Sequence, residues 1–346
     1  MKIYLVSFTR AGSKLNQTIY MKLNEKGHDC EGYSTAKSHD EFGLRQMEES
    51  LNLWVGNRFH SCDGLIFIGA CGIAVRGVAP YVKDKYTDPA VITVDELGSY
   101  VIPLLSGHIG GGNELARVVA QITGGIPIIS TATDLNNIFA VDVFAKQNEL
   151  LITDRILAKE ISADLLEGKQ ITIKSDLPLD GKLPIGISFE GKSENKKINI
   201  TIYEKNSDSN TLRLIPKIVC IGIGCRKGTN ASKLEEFVLE ELHKLNISIE
   251  SVVRIASIDL KKDEYAIKQL SEKYNWEFTT FSEEELSKVQ GDFKESDFVR
   301  SITGVGNVCE RGAVLGSSNG KLILQKTVRE GMTLAVAISK RRIIIE

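Results

Sequence analysis

Short apolar runs of strand length alternate with helical patterns along the first third of the chain. The runs are KIYLVSF at the start, GLIFIG at 64–69, AVITV at 90–94 and IPIIS at 126–130. After the third run, one buried helix face is indicated by the spacing of Leu115, Val118, Val119 and Ile122. Alternation of this kind is typical of a mainly parallel sheet flanked by helices, so we predict an α/β fold.

The pattern changes after residue 135. A predicted helix around 153–167 precedes the short runs ITIKS, IGISFE and KINITIYE, and the polar segment 191–197 is typical of a hairpin tip. A second α/β pattern then begins with KIVCIGIG and ends in two strand-like runs around Gly331, predicted to be antiparallel. We predict an N-terminal α/β domain at 1–135, a small α+β middle domain at 136–214 and a C-terminal α/β domain at 215–346.

The composition is that of an ordinary globular protein, with 42% hydrophobic and 25% charged residues. A formal net charge of -2 gives no general attraction for nucleic acid or an anionic membrane, so we predict neither as a partner. No apolar stretch approaches the roughly 20 residues that span a bilayer, and the start of the chain lacks a secretory pattern. We expect a cytoplasmic protein whose six scattered cysteines are reduced and which binds no metal of its own.

The segment SGHIGGGN at 106–113, here called the glycine loop, lies between a predicted strand and a predicted helix. Ligands of open α/β sheets bind at carboxyl ends of strands, where glycines allow close backbone approach and helix N-termini attract anions. His108 is the candidate general base, and Glu114 is either its catalytic partner or a carboxylate that complements the helix dipole. The alternative is a tight turn that His108 merely orients and Asn113 caps. Substrate contacts are predicted for Ser106, Gly107, Gly110, Gly111 and Asn113.

A second glycine-containing segment, GIGCRKGTN at 222–230, also follows a predicted strand. It fits neither the Walker A order nor the Rossmann G-x-G-x-x-G pattern, so a nucleotide site is not predicted. An anion-binding loop beside a helix N-terminus is predicted instead, and the alternative is a glycine turn with solvated basic side chains. The predicted ligand-binding residues are Gly222, Gly224, Cys225, Arg226, Lys227, Gly228 and Thr229.

Three further segments are typical of site-forming loops: GACGIAVRGVAP at 69–80, ASIDLKKDE at 256–264 and SITGVGNVCERGAVL at 301–315. Asp259 either binds a ligand or caps the following helix, and Glu310 either serves the site or faces solvent. Arg76 is a third cation for a polyanionic ligand. The predicted ligand-binding residues in these segments are Arg76, Ser257, Asp259, Lys261, Gly304 and Glu310.

Taken together and in this order, these segments resemble the CbiG proteins, the cobalt-precorrin-5A hydrolases of anaerobic cobalamin biosynthesis. The resemblance covers nearly the whole chain and rests on GLIFIGACGIAVRGVAP, SGHIGGGNELAR, IPIISTATD, GIGCRKGT, SIDLKKDE and VCERGAVL. It implies three regions and a hydrolase that acts on a carbon–carbon bond. Water opens the lactone joining the ring A acetate to C20 of cobalt-precorrin-5A, and C20 leaves with its methyl group as acetaldehyde, giving cobalt-precorrin-5B.

The resemblance further implies a cobalt-corrinoid substrate whose cobalt is already held by the tetrapyrrole, so we expect no cofactor. On this hypothesis His108 activates water, amides of the glycine loop stabilise the lactone oxyanion, and Arg76, Arg226 and Lys227 hold peripheral carboxylates. The alternative is a non-catalytic tetrapyrrole-binding or carrier protein of the same pathway. The sequence is also compatible with a homodimer and with transient contact with other enzymes of the pathway.

Overall fold

The computed structural model of the chain describes residues 1–84, 87–108, 110–135, 138–191, 195–204 and 208–345. The chain forms two compact units, Met1–Ile138 and Phe139–Glu346. The predicted break at 135 lies close to this division, whereas the predicted middle and C-terminal regions share the second unit. The three-domain scheme therefore stays a prediction.

The first unit is built on a seven-stranded sheet with the order β3-β2-β1-β4-β5-β6-β7. Neighbouring strands are parallel except for β5 and β6, which are antiparallel. The elements of this unit are β1 Lys2–Ser7, α1 Arg10–Glu25, β2 Asp29–Ser34, β3 Arg45–Gln46, α2 Leu51–Gly56, β4 Gly64–Ile68, α3 Cys71–Val78, β5 Ala90–Val94, β6 Tyr100–Leu105, α4 Gly112–Thr123, β7 Ile126–Pro127 and α5 Ala132–Leu135.

Helices cover both faces of this sheet. Side chains alternate along β1, so that Ile3 and Leu5 pack with residues of α1 and α4, while Tyr4 and Val6 pack with residues of α2 and α3. Because both faces are buried, the central strands are continuous apolar runs rather than alternating ones.

The second unit contains two five-stranded sheets, with the orders β11-β9-β12-β13-β8 and β16-β15-β14-β18-β17, and a strand pair β10-β19. Its elements before the second sheet are α6 Val141–Gln147, β8 Leu150–Ile152, α7 Arg155–Leu166, β9 Ile171–Ser175, β10 Leu179–Gly181, β11 Ile187–Ser188, β12 Lys197–Ile200 and β13 Thr211–Pro216. The remaining ones are β14 Val219–Gly224, α8 Ala231–Lys244, β15 Val252–Ile258, α9 Tyr265–Tyr274, β16 Glu277–Phe281, α10 Glu283–Lys288, α11 Asp297–Thr303, α12 Val308–Gly316, β17 Lys321–Arg329, β18 Met332–Ile338 and β19 Ile343–Ile345.

The predicted fold class, mainly parallel sheets flanked by helices, is confirmed. The antiparallel pair around Gly331 is also confirmed, since β17 pairs with β18. The predicted hairpin with its tip at 191–197 is wrong, because β9 lies between β11 and β12 and all three strands are parallel. Residues 192–194 of that segment lie outside the described residues.

Candidate functional site

The glycine loop follows β6 at an unexpected edge of the first sheet. Leu105, the last residue of β6, pairs with Val91 near the start of the antiparallel β5. The loop therefore lies at the edge where β5 begins, opposite the carboxyl ends of β1, β2 and β4. The loop thus follows the carboxyl end of β6 itself but does not lie at the edge where the parallel strands beside it end, and a binding site there stays a prediction.

Three backbone amides of the glycine loop are bonded inside the loop. The amides of Gly111, Gly112 and Asn113 donate to the carbonyls of His108, Ser106 and Gly107 at 3.0, 3.0 and 2.9 Å. These amides maintain the turn before α4 and cannot at the same time stabilise an oxyanion. The hypothesis that loop amides stabilise an oxyanion is thus contradicted for Gly111, Gly112 and Asn113, whereas substrate contacts of Gly111 and Asn113 stay predictions. Ile109 of the loop lies outside the described residues.

The glycines of the loop permit a tight backbone. Ser106 has a left-handed conformation with φ 54°, and a Cβ built on Gly110 would lie 2.2 Å from the Cβ of Ser106. A Cβ on Gly107 would lie 2.6 Å from Oδ1 of Asn113. Side chains are therefore excluded at both glycines, and the left-handed serine marks a strained position at the end of a strand.

Two buried polar atoms flank the end of the β5–β6 pair. Oγ of Ser106 is buried and has no hydrogen-bond partner among the described residues. Asp88, two residues before β5, is 5% exposed; its Oδ2 accepts the amides of Lys83 and Asp84 at 2.8 and 3.0 Å. Its Oδ1 is buried without a partner in the described part of the chain. Asp88 is not among the residues predicted from the sequence.

The two predicted catalytic side chains differ in their surroundings. His108 is half-buried in the loop. Glu114 is exposed in the first turn of α4, and one of its carboxylate oxygens accepts from Arg117 at 3.4 Å. This arrangement fits the reading of Glu114 as a carboxylate near a helix N-terminus, and its catalytic role stays a prediction.

Asn113 does not cap the helix. The N-cap of α4 is Gly111, in the left-handed conformation, and no side chain bonds to the cap. Asn113 is buried one residue inside the helix, where its Nδ2 donates to Oγ1 of Thr131 at 2.8 Å. The expected cap is wrong because the left-handed glycine ends the turn before Asn113 is reached.

Arg76 is exposed in the last turn of α3. The helix begins at Cys71, beyond Gly69, at the edge where β1, β2 and β4 end. The side chain is accessible to an anionic ligand, and its role in binding stays a prediction.

In the second unit, three parallel strands bring their loops to one edge. Parallel pairing of β14 with β15 and of β15 with β16 places the residues after Gly224, Ile258 and Phe281 together. The antiparallel β18 begins at the same edge, since Gly224 pairs with Thr333. We call this edge the carboxyl edge and residues 225–230 the basic loop.

The basic loop is exposed and tied to its surroundings. Arg226, Lys227 and Gly228 are exposed, and Oγ1 of Thr229 donates to the carbonyl of Arg226 at 2.7 Å. Asn230 caps α8, because its Oδ1 accepts the amide of Lys233 at 3.1 Å. Alongside the loop lies a cavity of about 280 Å³.

A buried carboxylate that is not among the predicted residues connects two loops of the carboxyl edge. Glu264 has a side chain only 6% exposed, and its Oε1 accepts the amide of Gly228 at 2.9 Å. Its Oε2 accepts from Nζ of Lys261 at 3.2 Å. The ammonium of Lys261 is thereby partly neutralised, and Glu264 positions the basic loop. The sequence signal is its place at the end of SIDLKKDE.

Glu310 is fully buried rather than exposed to a ligand or solvent. Its Oε2 accepts from the amide of Lys294 and from Nδ2 of Asn307 at 3.0 and 2.7 Å. Its Oε1 accepts the amide of Lys326 at 2.6 Å, where the β17–β18 register shifts. Both readings from the sequence, a site residue or a solvated one, are wrong, because the carboxylate holds three segments together.

Three more predicted contacts have structural explanations. A Cβ on Gly222 would lie 1.8 Å from the carbonyl oxygen of Cys309, so this glycine allows α12 to pack on β14. Oγ of the buried Ser257 donates to the carbonyl of Ile223 at 2.7 Å. Gly304 ends α11 with φ 77°. Asp259, which is also predicted to bind a ligand, is exposed after β15 and therefore stays accessible to one.

The cysteines are unpaired thiols. Burial raises the pKa of Cys225, in the basic loop, and raises that of the deeper Cys220 to about 12. A thiol with a raised pKa is a weak nucleophile near neutral pH, so Cys225 is not suited to covalent catalysis. Within the described residues, no group of His, Cys, Asp and Glu side chains is arranged to hold a metal ion.

Known proteins similar to this chain agree on one family. The families described as "Cobalamin synthesis G N-terminal" and "Cobalamin synthesis G C-terminus" match residues 54–134 and 219–337. A cobalt-precorrin-5A hydrolase of Priestia megaterium is 32% identical over 337 residues, which cover 92% of this chain and 87% of the relative. The chain belongs to the cobalamin synthesis G family.

A second member of the cobalamin synthesis G family, a cobalt-precorrin-5A hydrolase of Salmonella typhimurium, is 33% identical over 302 residues, which cover 81% of this chain and 83% of the relative. A crystal structure of a cobalamin biosynthesis protein G homolog from Sulfolobus solfataricus has 24% identity and a TM-score of 0.44, covering 97% and 96% of the two chains. Among the described residues of this family member, no helix is both long and apolar enough to cross a membrane.

Proposed function

We propose that this chain is a cobalt-precorrin-5A hydrolase of anaerobic cobalamin biosynthesis. It opens the ring A acetate lactone and releases C20 with its methyl group as acetaldehyde, giving cobalt-precorrin-5B. The observation that carries the proposal is similarity to relatives of that name across 92% and 81% of the chain, at 32% and 33% identity. The substrate is a cobalt corrinoid that brings its own metal, so the proposal includes no cofactor.

The proposed reaction requires the removal of two protons. Water adds to the acyl carbon of the lactone, the acyl–oxygen bond breaks, and the alkyl oxygen stays on C20 as a hydroxyl. Deprotonation of that hydroxyl then forms the carbonyl of acetaldehyde while the bond from C20 to the macrocycle breaks, and the macrocycle takes the electron pair. Both steps need a base that works near neutral pH, a property of imidazole.

His108 is the base in this proposal, and Glu114 is the second acid–base candidate. The half-buried position of His108, in a loop whose backbone is held by internal hydrogen bonds, supports the first assignment, since a positioned base needs a fixed backbone. Oγ of Ser106 is the loop atom that substrate or water can satisfy, because the structure leaves it without a partner among the described residues. The hydroxyl of Ser106 then donates a hydrogen bond to the lactone oxyanion in place of the loop amides, which already maintain the turn.

Peripheral carboxylates of the corrinoid are the proposed ligands of the exposed cations. Arg76 is available for this purpose in the first unit, and Arg226 and Lys227 are available in the second. Guanidinium groups bind carboxylates through two parallel hydrogen bonds, which gives orientation as well as affinity. The same proposal places the protein in the cytoplasm, with a homodimer and transient contacts to other pathway enzymes as its candidate associations.

Anaerobic incubation of the pure protein with cobalt-precorrin-5A in ¹⁸O water tests the reaction and its first step together. We expect acetaldehyde release and one ¹⁸O atom in the ring A acetate of the product, measured by mass spectrometry of the corrinoid. His108→Ala is expected to slow release by roughly 100-fold or more. Tight binding of the corrinoid with no acetaldehyde would instead identify a carrier protein, and label missing from the acetate would exclude attack at the acyl carbon.

A further inference from the structure

The cavity at the carboxyl edge has an unbalanced set of charges. Of its lining residues, three are cations, namely Arg226, Lys227 and Lys233, and one is a carboxylate, Glu330. The cavity therefore presents more positive than negative charge to an incoming molecule. It also lies beside the N-terminus of the 14-residue helix α8, whose dipole adds positive potential.

Two of these cations are not engaged elsewhere. Within the described part of the chain, the side chains of Arg226 and Lys227 have no ion-pair or hydrogen-bond partner. Arg226 lies against the β17–β18 turn, because its Nε is 2.7 Å from where a Cβ on Gly331 would be. The glycine therefore leaves the space that the guanidinium occupies.

The third cation already binds a carboxylate of the chain itself. Nζ of Lys233 lies 2.7 Å from Oε2 of Glu330, and both side chains are 62% exposed. An ion pair this exposed contributes little to stability, so a better-placed anion can replace Glu330 at small cost. Glu330 thus occupies the position on Lys233 that the carboxylate of a ligand would take.

The backbone of the basic loop favours a carboxylate over a phosphate group. Phosphate sites at helix N-termini use several free amides, but here the amide of Gly228 donates to Glu264 and that of Lys233 donates to Asn230. Two of the amides that a phosphate site would use are therefore already engaged, whereas the side chains of Arg226 and Lys227 are available to a carboxylate. A volume of about 280 Å³ is at the lower limit for small-molecule sites, which suits one arm of a ligand rather than a macrocycle.

We infer that this cavity is a subsite for one carboxylate arm of an anionic small molecule, and that the arm takes the place of Glu330 on Lys233. The inference rests on the proposed function in one respect, since the arm is then a peripheral carboxylate of the corrinoid. Arg226 binds the same carboxylate, and Lys227 adds attraction at the entrance.

Steady-state kinetics with cobalt-precorrin-5A test the subsite. Lys233→Met and Arg226→Met are each expected to raise KM roughly tenfold with little change in kcat, because the contact is the same in the ground and transition states. Glu330→Gln is expected to lower KM, since it removes the internal competitor. Lys268→Met is the matched control, because Lys268 also forms an exposed pair, with Asp263 at 2.8 Å. Unchanged KM in both cation variants, or a raised KM in Glu330→Gln, would overturn the inference.

A binding measurement separates this inference from the proposed function. Propionate and inorganic phosphate are titrated separately into the whole protein while the amide resonances of Gly228 and Thr229 are followed by NMR. We expect shifts with propionate that Lys233→Met abolishes and Lys268→Met retains. If the wild type releases no acetaldehyde but these shifts occur, the hydrolase proposal fails and the subsite stands. A response to phosphate alone, or to neither anion, would contradict a carboxylate subsite.

Discussion

Replacement of Glu310 by alanine tests whether this residue supports the fold or binds substrate. The carboxylate is fully buried and accepts three hydrogen bonds, from the amides of Lys294 and Lys326 and from Asn307. A hydrogen bond to a charged group contributes about 1.5–3 kcal/mol, and each donor left buried without a partner costs about 1–3 kcal/mol. Local relaxation and water entry reduce the sum, so we expect a loss of roughly 3–5 kcal/mol in the free energy of unfolding.

Glutamine at the same position gives an intermediate case. Its carbonyl oxygen can face the two donors at Lys294 and Asn307, but its amide group then opposes the amide of Lys326. We expect Glu310→Gln to lose about 1–3 kcal/mol. Glu284→Ala is the control, because this carboxylate is exposed and forms an exposed ion pair with Lys288, and it is expected to change stability by less than about 0.5 kcal/mol.

Urea unfolding followed by tryptophan fluorescence provides the assay. The two tryptophans report on different units, since Trp54 is buried in the first and Trp276 in the second. A Trp54→Phe background therefore isolates the transition of the unit that holds Glu310. Folded Glu310→Gln should keep the KM of the parent for cobalt-precorrin-5A. Wild-type stability in Glu310→Ala together with a raised KM would refute the structural role and restore Glu310 to the binding site.

Two further predictions concern the glycine loop and an ionisable pair. Gly110→Ala should reduce the rate of acetaldehyde release by roughly 100-fold or more, because the new Cβ would lie 2.2 Å from that of Ser106. Gly72→Ala is the control and should match the wild type, and equal rates for the two variants would contradict the prediction. Burial, and then the hydrogen bond to Glu235, raises the pKa of Tyr274 to about 12. The stability that Tyr274 contributes should therefore be present below pH 10 and lost as pH rises through 12. The difference in tyrosinate absorbance between the wild type and Tyr274→Phe, followed with pH, measures this ionisation. Ionisation of Tyr274 near pH 10 would refute the prediction.

The fold was largely accessible from the pattern of apolar residues. Strands buried on both faces, such as β4 and β5, are continuous apolar runs, so the ends of each run indicate where the strand begins and ends. The edge at which the glycine loop lies could also have been inferred. Only residues 95–99 separate β5 from β6, too few for the crossover that parallel strands require, so the length of this connection by itself indicates an antiparallel pair.

The roles of individual site residues were less accessible, because burial is a property of the packed chain. Glu310 and Glu264 are ordinary carboxylates in the sequence, and only the packing of α12 and of the basic loop makes them internal hydrogen-bond acceptors. The role of Gly222 was not accessible for the same reason. A glycine that lets a helix pack closely and a glycine that lets a ligand bind closely look the same in the sequence. Asp88 has no distinguishing pattern, and its unpartnered oxygen becomes evident only from the structure.

The number of acetaldehyde molecules released per molecule of protein shows most directly whether this chain is a hydrolase. Cobalt-precorrin-5A is supplied anaerobically in large excess over the pure protein, and acetaldehyde and cobalt-precorrin-5B are measured over time. We expect equal amounts of both products, each many times the amount of protein. Corrinoid bound in a one-to-one ratio, with acetaldehyde no faster than in a protein-free control, would contradict this expectation.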